Sequence, residues 1–101
     1  MTSFTFTAAL WQWTAASSAG TWYFVTVTED ISDQIEDMAT GPRAGFGSVR
    51  VRVTVGESTW DTSVFPSKEH AAFILPIKKA VRLAESWHEG DSATVTLEVR
   101  T

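Results

Sequence analysis

Lys78, Lys79 and Arg82 are the densest basic group in the chain, and their spacing suits an anion. On a helix, residues four apart share a face, so Lys78 and Arg82 repel each other by about 0.2–0.5 kcal/mol unless a counter-charge relieves them. Glu85, three residues further on, offers one within the chain. The group therefore reads first as a solvated helix face and second as an anion-binding patch. Arg43 sits in the glycine-bracketed loop Gly41-Pro42-Arg43-Ala44-Gly45-Phe46-Gly47 and joins that patch if the fold brings the two together. Arginine supplies forked contacts to a carboxylate or phosphate, and lysine a point charge. An apolar wall beside them would come from Trp60, Phe65 and Phe46.

Other chemistries lack their residues. The absence of cysteine removes disulfides, thiolate zinc sites, iron–sulfur clusters and cysteine nucleophiles. His70 and His88 are the only imidazoles, and a metal site would need both to converge from separate loops, so neither metal nor cofactor is expected. The 41–47 loop has neither phosphate-loop nor dinucleotide spacing and reads as a turn. Glu29, Asp30, Asp33, Glu36 and Asp37 lack the alternating frame of a calcium loop and suit helix capping and a solvated face. Thr62-Ser63 has no histidine at a recognisable distance and no nucleophile elbow. No catalytic residue is assigned, and a binding module is expected rather than an enzyme.

A formal net charge of −4 opposes general binding to a phosphate backbone. Arg50 and Arg52 on one strand, with nearby aromatics, leave single-stranded nucleic acid only as a minor alternative. No apolar run reaches a membrane span, and Met1-Thr2-Ser3-Phe4 opens without a basic or apolar leader, so a cytoplasmic location is expected.

The elements that must position these residues are mostly strands. In a chain of 101 residues, 44% of them apolar, one core and one domain spanning 1–101 are expected. Phe4, Phe6, Ala8 and Leu10 alternate as a first strand; the bulk then shifts to odd positions at Trp11 and Trp13, which places a bulge or strand end near Leu10. Thr21 to Thr28 reads as a strand covered on both faces. A helix from Asp30 to Ala39, with Ile31, Ile35 and Met38 on one stripe, is the natural cover. Val49, Val51, Val53 and Val55 alternate as a strand, Gly56-Glu57-Ser58 turns into a strand over Thr59–Phe65, and Ala71–Leu75 is a short strand stopped by Pro76. Ile77 to Trp87 reads as a second helix, and Ala93–Val99 as the last strand. Six strands without a long crossover imply an antiparallel barrel or sandwich. Among the five tryptophans, Trp22 and Trp60 are expected in the core, and Trp11, Trp13 and Trp87 at a rim or subunit contact.

Three stretches, Gly20-Thr21-Trp22-Tyr23, Thr62-Ser63-Val64-Phe65-Pro66 and Leu75-Pro76-Ile77-Lys78-Lys79-Ala80-Val81-Arg82 with Gly90-Asp91 beyond it, occur in that order. In them the chain resembles the small bacterial family of domain of unknown function number nineteen hundred and five, over about Phe4 to Val99. The resemblance implies a closed or nearly closed six-stranded Greek-key barrel with short helices packed on it, sometimes fused to a module associated with bacteriocin resistance. It implies no reaction. The expected function is non-enzymatic binding of a small anionic or aromatic ligand through Arg82, Lys78, Arg43, Trp60, Phe65 and Phe46. The alternative is a homo-oligomer or protein-interaction module using Trp11 and Trp13.

Overall fold

A computed structural model describes residues 3–14, 21–38 and 47–100. The strands are β1 (Ser3–Ala9), β2 (Trp11–Thr14), β3 (Thr21–Thr26), β4 (Val49–Val55), β5 (Ser58–Ser67), β6 (Ala72–Pro76) and β7 (Ser92–Val99), with helices α1 (Glu29–Met38) and α2 (Lys79–Ala84). All pairings are antiparallel, in the order β1-β7-β4-β5-β6-β3-β2.

The seven strands form an open half-barrel, which corrects the expectation of six strands in a closed barrel. Leu10 accounts for the seventh strand, because it splits the first stretch into β1 and β2. The chain on one side of it pairs with β7 and on the other side with β3, so a single stretch supplies both ends of the pairing order. One residue, rather than a ladder, bridges the seam. The move of bulk to odd positions there is not a change of face, since Phe6 and Leu10 are buried in the core while Trp11 and Trp13 take the outward positions; the irregularity is on the facing strand, where the Asp91 carbonyl accepts from Leu10 N–H and Gly90 N–H donates to the Leu10 carbonyl. Two residues thus oppose one, as in a bulge. Gly90 takes φ 89°, a conformation that glycine adopts without strain.

β5 is the corner of the sheet. Its Ser58–Val64 part pairs with β4, and its Phe65–Ser67 part pairs with β6, so the strand continues through Pro66 rather than ending there. The inner face holds Val49, Val51, Val53, Val64, Leu75, Val95 and Leu97, all almost fully buried. This core is the β-branched alternation of the sequence turned to one side.

α1 closes one end of the core with Ile31 and Ile35 buried. Ser32 docks it: its hydroxyl donates to the Val27 carbonyl at 3.4 Å and accepts from Phe73 N–H at 3.0 Å. The helix therefore covers the inner end of β3 and β6 and leaves the outer face of β3 bare, contrary to the cover expected there. α2 is shorter than the expected 77–87 helix. Ile77 stays in the sheet ladder, donating to the Tyr23 carbonyl, and Ser86 at φ 49° ends the helical path. Trp87 is buried, not at a rim, and its indole N–H donates to the Asp91 carbonyl at 2.8 Å.

Candidate functional site

The outward positions of β2, β3 and β6 are aromatic or apolar except Thr26. Pairing sets Trp11 opposite Phe24 and Trp13 opposite Trp22; β6 then adds Pro76 opposite Phe24 and Ile74 opposite Phe65. Trp13, Trp22, Phe24, Phe65, Ile74 and Pro76 line an open hollow of about 440 Å³. Trp13 is 49% exposed and Trp22 54%, so Trp22 is a surface residue rather than the core residue expected. A second hollow of about 450 Å³ shares Trp13, Phe24 and Ile74 and continues to Trp11, Glu69 and His70.

The two ends of this groove differ in rigidity. Trp11 is stacked between Phe24, centroids 5.0 Å apart, and His70, 4.8 Å apart. Its indole N–H donates to Thr26 Oγ1 at 2.9 Å. His70 is fixed in turn, with Nδ1 2.9 Å from Ser67 Oγ, which also accepts the His70 backbone N–H at 3.4 Å. This serine–histidine pair closes its own three-residue turn. Trp13 and Trp22 instead present their rings to solvent, on the only two tryptophans more than a third exposed among the described residues.

Of the residues expected to bind a ligand, the four that the structure describes stand apart from one another. Phe65 lines the apolar hollow. Trp60 lies on the inner side of β5, half-buried against the core. Arg82 places its guanidinium 3.8 Å above the Tyr23 ring, a cation–π contact, and its Nε is buried without a hydrogen-bond partner. Tyr23 points to the opposite side of β3 from Trp22 and Phe24, because successive side chains alternate. Lys78 is exposed at the start of α2. Arg43 and Phe46 lie outside the described residues. Sequence reasoning missed Trp22, Phe24, Ile74 and Pro76 as one surface. The usable signal was the alternation of bulky residues in two neighbouring strands, Trp11 and Trp13 in one and Trp22 and Phe24 in the other.

Charge is concentrated on the other half of the sheet. Arg52 Nε bonds Asp61 Oδ1 at 2.9 Å, and Arg100 stands 3.9 Å from the same oxygen. The hydrogen bond from Arg52 holds the Asp61 carboxyl below its ordinary range, with further help from the nearby positive charges, and the same pair raises Arg52. Among the described residues, no lysine or arginine lines either aromatic hollow. Among the described residues, no three His, Cys, Asp or Glu side chains are grouped to hold a metal ion, and no helix is long and apolar enough to cross a membrane.

A family model described as Domain of unknown function (DUF1905) matches residues 6–97. No curated protein matches the chain.

Proposed function

The chain belongs to the DUF1905 family, and we propose that it is a non-enzymatic binding module taking a small, flat aromatic ligand on the outer face of β2, β3 and β6. The observation that carries this reading is the cross-strand pair Trp13 and Trp22, half exposed over an apolar hollow. Large aromatic rings left in water beside a concave apolar surface mark a recognition site. A ring that removes roughly 150 Å² of apolar surface from water gains about 4 kcal/mol, with stacking adding to it. Loss of translational freedom offsets part of that gain, so a single-ring ligand binds weakly, at about millimolar concentration or above. Of the two expected ligand types, the aromatic one has this support. The anionic one does not, because Lys78 and Arg82 are not on this face.

Titration with indole or naphthalene probes, followed by two-dimensional NMR, tests the reading. Saturable shifts are expected at the side-chain signals of Trp13 and Trp22 and disappearance of binding in Trp13→Ala/Trp22→Ala, with Arg82→Ala unaffected. Saturable binding that survives the double substitution overturns it. A second reading is self-association through β2, favoured by its position at the end of the pairing order with Trp13 exposed. Light scattering showing a monomer at high concentration removes that alternative.

A further inference from the structure

We infer that the ligand of the outer face is a cation, an aromatic amine whose ring lies on Trp13 and Trp22 and whose ammonium group reaches the second hollow beside Glu69. The inference rests on the binding reading above and adds the charge of the ligand. Its first support is continuity: the two hollows share Trp13, Phe24 and Ile74, so one elongated molecule spans both. Its second support is charge. Among the described residues, Glu69 is the sole Asp, Glu, Lys or Arg in the combined lining. Lys68, the neighbouring cation in the chain, lines a different hollow together with Asp33 and Glu36 on the α1 side. Arg82 is occupied with Tyr23, and Arg52 with Asp61.

The third support is the rings themselves. The face of an indole carries negative potential, so exposed tryptophans attract ammonium groups and not carboxylates. A carboxylate in the same place would meet Glu69 and gain nothing from the indole faces.

Three probes of one shape separate the possibilities: 2-naphthylmethylamine, 2-naphthylmethanol and 2-naphthoate, titrated at low salt. The expected order is amine, then alcohol, then carboxylate, with the amine about tenfold tighter than the carboxylate. Glu69→Gln, at an exposed turn position where folding is insensitive, is expected to shrink that ratio to about threefold or less and leave the alcohol unchanged. Equal binding of amine and carboxylate, or a preference untouched by Glu69→Gln, overturns the inference while the binding reading stands. Binding of none of the three overturns both.

Discussion

The outer face of β1, β7, β4 and the first part of β5 is matched within itself except at Glu98, whose Oε1 is buried without a hydrogen-bond partner. Thr5, Thr96, Thr54 and Thr59 form one row across four strands, with hydroxyl pairs at 3.2 Å (Thr5–Thr96) and 3.1 Å (Thr54–Thr59). In the next row Glu98, Arg52 and Asp61 alternate in charge. Such cross-strand pairs stabilise a sheet and leave little for a partner to add. The outer face of β2, β3 and β6 is built oppositely, with rings at the matching positions and two of them in water. Both halves turn the same aliphatic residues inward. The difference teaches that packing dictates the inner pattern everywhere, and that only one outer face carries a chemistry the fold does not require.

If the halves share one core, a deletion under either outer face should cost the same. Leu75 lies under the aromatic face and Leu97 under the polar one, each with no exposed surface. Leu75→Ala and Leu97→Ala are each expected to lose about 2–5 kcal/mol in denaturant unfolding. A loss below about 1 kcal/mol at one of them would mean that its half is packed independently and would break the comparison at its base.

The aromatic face divides further into an anchored part and a free part. Trp11 has two stacking partners and a satisfied indole N–H, so Trp11→Ala is expected to cost about 1–3 kcal/mol. Trp13→Ala is expected within about 0.5 kcal/mol of the parent in the same assay, as for other surface substitutions. A large loss at Trp13 would make it a structural residue and withdraw the reason for reading the exposed pair as a binding surface.

What the sequence made legible follows from the same contrast. β4 and β7 were readable because one face is aliphatic and the other polar, so alternation alone tells inside from outside. β3 carries bulk on both faces, Trp22 and Phe24 on one and Tyr23, Val25 and Val27 on the other. Alternation there shows two faces and cannot say which is buried, and Trp22 was placed inside. The strand end at Leu10 was visible as a move of bulk from even to odd positions, but the pairing of its two sides with opposite ends of the sheet is a long-range fact with no local trace. α2 was overextended because Ile77, Val81 and Trp87 mimic a helical stripe while Ile77 belongs to a strand ladder. Of the expected ligand residues that the structure describes, only Phe65 is on the aromatic surface, since helical spacing of basic residues carries no information about which face of the sheet the helix lies beside.

The polar face supplies the smallest effect. Asp61 is exposed, and its carboxyl is held below the ordinary carboxylate range chiefly by the hydrogen bond from Arg52. In the unfolded chain that carboxyl protonates at the higher, ordinary value. The ion pair therefore contributes stability above the unfolded pKa, and the contribution is lost as pH falls through the folded one. Raising the Arg52 guanidinium has no counterpart in this range, because arginine remains charged throughout it. Asp61→Asn is accordingly expected to lower Tm slightly at neutral pH, to flatten the acid limb of Tm against pH, and to lose its effect in high salt. Trp13→Ala is expected to leave the shape of that acid limb unchanged. If the acid limb is instead altered by Trp13→Ala and not by Asp61→Asn, the charged rows are not where this molecule keeps its matched polar pairs, and the division between the two outer faces fails.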